Sequence, residues 1–252
     1  MPRSRLAGII ILGITWIPYA YSQAASRRPS AEAILDRQVA VSGGQALYDR
    51  IQNEMRTMTA KVSGADVAQI VIYRNRFGSL HQIVRGAGEQ SELGVKSGVV
   101  WSRTGDAAQI VETGEERAQA LQGAILLSDG RWREIYKSAE TVRTETVEGK
   151  LCYVLKVVPF VGEPHTLWYD QKTGLQVREV SPLSTGGETQ VTAQEYFETG
   201  GITMPRILHS LINGVVITMV VDDVKFNQPI PDSIFALPPD IERLMKKRFA
   251  AK

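Results

Sequence analysis

The chain carries one cysteine in 252 residues, Cys152, which excludes an internal disulfide. Cys152 sits in the apolar run LCYVLKVV and reads as a buried small hydrophobe, not a reactive thiol. Histidine is nearly as scarce. His81, His165 and His209 fall in three separate predicted strands, none beside a second ligand at metal-binding spacing, so no metal is expected. The chain has no G-x-S-x-G elbow, no S-x-x-K and no phosphate-cradling glycine loop. Gly86-Ala87-Gly88 has no helix after it to present N–H groups and reads as a turn. Asp222 and Asp223 are strand neighbours whose side chains leave on opposite faces, so they cannot share a reacting atom. No catalytic residue and no cofactor are assigned, and the protein is read as a non-enzyme.

The chain also lacks an apolar run long enough to span a bilayer, which takes about 20 residues. Leu6–Ala20 is apolar but is broken by Gly8, Gly13 and Pro18. Arg3 and Arg5 precede it and Ser22-Gln23-Ala24 follows it, which is the layout of a secretory signal peptide over residues 1–24. No cysteine lies near that cut, so the chain is not itself expected to be a lipoprotein. Residues 1–24 hold two arginines and no acid, so 29 basic residues fall to 27 against 27 acidic ones. A chain without a basic surplus is not built for nucleic acid. Export without disulfides suits a bacterial periplasm.

The composition that is present, 43% hydrophobic and 22% charged, is that of a globular chain with a core. Residues 30–54 have a helical period with Ile34, Leu35 and Val39 on one face, and Ser42-Gly43-Gly44 splits them into two short helices. From Met55 the period becomes two. Strands are predicted at 55–63, 67–75, 79–85, 90–96 and 99–103, then at 141–147, 151–158, 165–170, 175–180, 189–198, 204–212 and 215–226. Asn213-Gly214 is the strongest hairpin signal, and Asp170 to Gly174 has the form of a type I turn closed by glycine. Between the two series, 114–127 returns to the helical period, with Glu115 and Glu116 at its start and Ala118, Leu121 and Ile125 on one face. The fold class expected is mainly β with α: one domain over 25–252, a curved antiparallel half-open barrel of about eleven or twelve strands covered by short helices. Strands such as 215–226 are apolar on both faces (Val215, Ile217, Met219 and Val221 against Val216, Val220, Val224 and Phe226), which predicts cover on both sides. Asp240–Lys252 reads as a C-terminal helix with an apolar stripe; its basic face is the candidate for peripheral membrane contact.

Three stretches in the same order resemble one family. They are AEAILDRQVAVSGGQALYDRI, the run VEGKLCYVLKVVPFVGEPHTLWYDQKTGLQVREV, and the ending VDDVKFNQPIPDSIFALP. They are similar to the LolA/LolB-like outer-membrane lipoprotein-sorting superfamily, over essentially the whole chain after the signal segment. The resemblance implies a half-open barrel with a helical lid that binds lipid or lipoprotein acyl chains. On that reading Leu121 and Ile125 of the lid, with Trp101, Tyr153, Leu155 and Trp168 of the sheet, line the cavity. Two other readings stay open. One is an envelope stress-sensing or protein-interaction module with a packed barrel. The other is a hydrolase, which a clustering of acid, His and Ser in one cleft would favour.

Overall fold

The computed structural model of the chain describes residues 28–183 and 185–250. The expected signal segment lies outside them. Thirteen antiparallel strands form one curved sheet that does not close. The sheet is two meanders joined edge to edge. β1 (Asn53–Val62), β2 (Ala65–Asn75), β3 (Leu80–Gly86), β4 (Ser91–Lys96), β5 (Val99–Thr104) and β6 (Ala107–Ile110) run outward in one direction. β7 (Tyr136–Val147), β8 (Lys150–Pro159), β9 (His165–Asp170), β10 (Gln176–Pro182), β11 (Glu188–Thr199), β12 (Ile202–Ile212) and β13 (Val215–Phe226) return from the other, and β13 pairs with β1. The short strand β6 is additional to those predicted.

α1 (Ala31–Val41) and α2 (Gln45–Tyr48) open the described chain. Ser30 caps α1 by accepting a hydrogen bond from the Ala33 N–H. Gly43 joins the helices at φ +138°, where a Cβ would strike the Gly201 carbonyl and Ile202, so only glycine fits this hinge. The Asp170–Gly174 turn forms as read: Gly174 has φ +80° and its N–H donates to the Asp170 carbonyl at 2.8 Å. Asn213 and Gly214 both have positive φ, the geometry of a tight hairpin turn.

β6 and β7 are opposite edges of the sheet, so the connection between them must cross it. It carries α3 (Gly114–Gly123), a 3₁₀ turn (Ser128–Arg131) and α4 (Trp132–Ile135) over one face, here called inner. α3 ends at Gly123, short of the predicted 127, and the chain beyond it turns left-handed at Leu127, φ +49°, which leads into the 3₁₀ turn.

Two clusters fill the inner face. In the first, Met58, Ile70, Ile72, Leu80, Val95, Val100 and Val221 meet Ala120 and Ala124. In the second, Ile34, Leu35 and Val39 of α1 meet Leu155, Val157, Leu167 and Tyr169. A smaller cluster on the outer face joins Val147, Cys152, Val154, Trp168 and Val177, and Cys152 is buried there as a hydrophobe. Burial pushes its thiol pKa up, away from reactivity.

The two-faced reading of β13 needs correction. The register against β1 slips between Thr57 and Met58, so Asp222 is an extra residue. Such a bulge reverses the alternation beyond it. Val221 and Val224 therefore both enter the inner cluster, with Ile217, Met219 and Phe226 packed against it, while Val215 and Val216 are exposed. Thr59 donates its hydroxyl to the bulged Asp222 carboxylate at 2.8 Å.

The C-terminal segment covers the outer face of the first meander. A 3₁₀ turn (Asp232–Phe235) packs on β3 and β4, and α5 (Pro239–Ala250) packs on β6. Trp101 lies under this segment, 2% exposed, with its ring centroid 5.5 Å from that of His81. It faces Gly94 directly across the β4–β5 pair, and a Cβ on Gly94 would clash with the indole ring. Gly94→Ala is therefore expected to destabilise the protein by about 1–3 kcal/mol through overpacking. Urea denaturation checks it, and an unchanged midpoint would contradict this packing.

Candidate functional site

Alternation places Glu54, Arg56, Met58 and Ala60 of β1 on the inner face, opposite Arg74, Ile72, Ile70 and Ala68 of β2. The row therefore begins in charge and ends in hydrocarbon. Glu54 is 1% exposed and meets Arg56 Nε at 2.7 Å and Arg74 Nη1 at 3.1 Å. Burial alone would raise the Glu54 carboxyl, but the two guanidinium groups outweigh it and hold the pKa below the usual carboxylate range. Arg74 also donates from Nε to the Gly123 carbonyl at 2.6 Å. That carbonyl closes α3, so a buried ion pair on the sheet anchors the C-terminal end of the lid helix.

Beside this anchor is a cavity of about 190 Å³, lined by Tyr48, Glu54, Arg74, Ile125, Asp129 and Met204 among others. Asp129 keeps solvent access although protein surrounds it. Burial and the nearby Glu179 charge raise its carboxyl pKa, against a hydrogen bond from Gln38 and the charge of Arg56. Asp129 and Ser128 also border a narrow gap of about 20 Å³ against Tyr136 and Tyr169. Burial raises the pKa of Tyr48, Tyr136, Tyr169 and Tyr196 well above the ordinary phenol value, so all four remain neutral hydroxyls.

A second recess of about 300 Å³ lies on the other flank of α3, over β9, β10 and β11. In it Glu179 Oε1 lies 3.2 Å from His165 Nδ1. Ser181 pairs with Thr189, and both line the recess with His165. Acid, His and Ser thus share a cleft, the arrangement noted above as favouring a hydrolase. His165 Nε2, however, has no hydrogen-bond partner among the described residues. The nucleophile–base hydrogen bond that would activate Ser181 is not formed.

A third cavity, about 360 Å³, opens at the β6 edge where α3 approaches α5. Its walls include Val99, Val100, Ile110, Val111 and Met245, with Arg117 and Arg248 also lining it. Arg248 is ion-paired with Glu112. Among the described residues no cluster of His, Cys, Asp and Glu is arranged to hold a metal ion.

The six residues predicted to line one cavity do not meet in one. Trp101 and Trp168 are on the outer face. Trp168 is flanked there by the Arg143 and Arg178 guanidinium groups at 6.0 and 5.9 Å. Leu155 is wholly buried under α1, with Tyr153 packed beside it. Leu121 packs half-buried against the first inner cluster, and of the six only Ile125 lines a cavity described above. The polar lining by Asp129, His165 and Glu179 was not foreseen.

The molecule is thus an open antiparallel half-barrel whose inner face is lidded by a crossing helix and hollowed into several small cavities. No protein-family model matches the chain, and no curated protein matches it significantly in sequence. Its fold is that of LolA-like structures. It is similar to a LolA superfamily protein from Nitrosomonas europaea, with TM-score 0.58, 14% identity, and coverage of 83% of this chain and 99% of that one. It is similar to a DUF1329 family protein from Desulfovibrio piger, with TM-score 0.57, 14% identity, and coverage of 82% and 97%. A putative outer membrane lipoprotein-sorting protein domain from Vibrio parahaemolyticus gives TM-score 0.54 at 10% identity, with coverage of 81% and 94%. At these identities the likeness is one of fold.

Proposed function

We propose that the protein is a non-enzymatic carrier or binder of lipid or lipoprotein acyl chains, exported to the periplasm by residues 1–24. The observation that carries this reading is the make-up of the lid contact. The sheet presents Ile70, Ile72, Leu80, Val95 and Val100, and one short crossing segment answers with Ala120, Ala124 and Leu126, with Leu121 and Leu127 partly buried beside them. At about 0.8 kcal/mol per buried methyl or methylene, the few side chains of this one short segment make a limited contact that an apolar ligand can replace. An acyl chain that takes the helix's place gains the same ~0.8 kcal/mol per methylene, on the order of 10 kcal/mol for sixteen carbons before association costs. The fold, shared with a LolA superfamily structure, supports the same reading.

The test is native mass spectrometry of the mature protein, purified without detergent from a bacterial periplasm. A stoichiometric lipid adduct is expected, or uptake of a fluorescent fatty acid by the apoprotein. A clean apoprotein that takes up neither would sink the carrier reading. It would favour the interaction module, for which exposed Leu211, Val215 and Val216 at the β12–β13 hairpin provide an apolar docking edge. The exposed basic side chains of α5, Arg243, Lys246 and Lys247, remain the candidate for peripheral membrane contact.

A further inference from the structure

We infer that the His165–Glu179 recess is a head-group subsite that selects neutral amphiphiles bearing a hydroxyl or amide N–H; this rests on the carrier reading above. His165 is 5% exposed, and its Nε2 is buried without a partner among the described residues. A buried polar atom left unpaired costs free energy, and a ligand that pairs with it recovers that cost. The Glu179 carboxylate, 3.2 Å from Nδ1, favours a proton on that nitrogen, and in that tautomer Nε2 is an acceptor.

The neighbours have the same polarity. Gln119 donates its amide to the Pro182 carbonyl at 2.8 Å, and Gln122 donates to the Val161 carbonyl at 2.6 Å. Each keeps its side-chain oxygen as an acceptor. Among the described residues lining the recess there is one carboxylate, Glu179, and no lysine or arginine. A phosphate or carboxylate head would meet like charge and no counter-charge. A hydroxyl or amide donor would meet an imidazole nitrogen and a carboxylate, with Ser181 and Thr189 able to serve as either donor or acceptor.

The placement suits an amphiphile. Gln119 and Gln122 lie on the flank of α3 that borders the recess, while Ala120 and Ala124 lie on the flank that covers the apolar sheet. A head held at His165 therefore sits next to a chain lying under the lid.

The experiment measures binding of three sixteen-carbon probes to the full mature protein: monopalmitoylglycerol, palmitate and methyl palmitate. Wild type is expected to prefer monopalmitoylglycerol to each of the others by roughly tenfold, the worth of one or two hydrogen bonds. His165→Leu is expected to lose that preference and keep its affinity for methyl palmitate. Ser181→Ala, a smaller change less able to disturb folding, is expected to lose part of it, with circular dichroism confirming the fold of both. Equal affinity for the three probes in wild type, or an unchanged preference in both variants, overturns the subsite and leaves the carrier reading standing. Failure of every probe to bind wild type overturns the carrier reading itself. Free glycerol that displaces none of the monoacylglycerol supports a lipid head as the ligand, and displacement at low millimolar glycerol overturns it in favour of a free polyol. Release of palmitate from the glyceride over time would overturn a purely binding role.

Discussion

Glu54→Ala is expected to destabilise the protein by about 3–5 kcal/mol, because it strands two arginines in a buried site. Arg56 and Arg74 are themselves largely buried, with side chains 20% and 17% exposed, and Glu54 is the ion-pair partner of both. At roughly 2–4 °C per kcal/mol for a domain of 150–250 residues, the thermal midpoint should fall by about 6–20 °C. The pH dependence follows from the depressed Glu54 pKa. A carboxyl held below its unfolded value contributes stability above that value and loses it as pH falls through the folded pKa. The wild-type advantage should therefore be full at neutral pH and shrink from about 4.5 downward, where 4.5 is the ordinary value for glutamate. A gap between wild type and variant that stays constant down to pH 2 would contradict the ion-pair account. The same pair reaches the lid. Arg74→Met removes the donor to Gly123 and should speed hydrogen exchange along α3 by roughly tenfold, the worth of one charge-assisted hydrogen bond.

Much of the scaffold could be read from periodicity, because its determinants are local. Asp170 to Gly174, Asn213-Gly214 and Ser42 to Gly44 each carry their turn in their own residue types. The inner face was harder, and two bulges explain why. The β9–β10 register slips at Val177, so that Tyr169 faces Gln176 but Leu167 faces Glu179. Without that extra residue, strict pairing outward from the turn would set Arg178 against Leu167 and turn Glu179 to the outer face. His165 would then have no acid beside it and would look like the ordinary strand histidine its surroundings suggest. The bulge at Asp222 does the same to β13, where apolar residues that seem to divide between two faces gather on one. The outward placement of Trp101 and Trp168 was hidden for a related reason. Aromatic content marks burial, but it does not say which face is buried, and here the outer face has its own cover from the C-terminal segment and from Arg143 and Arg178. The polar interior left no trace in composition, because Glu54, Arg74, His165 and Glu179 are brought together only by sheet pairing.

Ile241→Ala is expected to destabilise the protein by about 2–5 kcal/mol, as for other fully buried aliphatic residues. Ile241 is 0% exposed although it begins a short C-terminal helix rich in charge. The docking of α5 explains this. Asp240 reaches Arg103 at 3.7 Å, and Arg103 in turn holds Glu92 at 2.5 Å, so the start of the helix is tied to an ion network on the outer face. His81 belongs to that network. It bonds the Ile234 carbonyl through Nδ1 at 2.8 Å and the Glu92 carboxylate through Nε2 at 2.9 Å. At the far end Arg248 pairs with Glu112, just beyond β6. A helix fixed at both ends turns its apolar stripe to the sheet edge, with Ile241 buried and Met245 lining the cavity at β6. That stripe is not free to enter a membrane while α5 is docked. The measurement is thermal unfolding of Ile241→Ala beside Leu244→Ala, since Leu244 is 36% exposed on the same helix. A large loss at 241 with little change at 244 is the docked result. Equal and small losses at both would mean that α5 leaves the sheet in solution, and its apolar face would then be available to lipid.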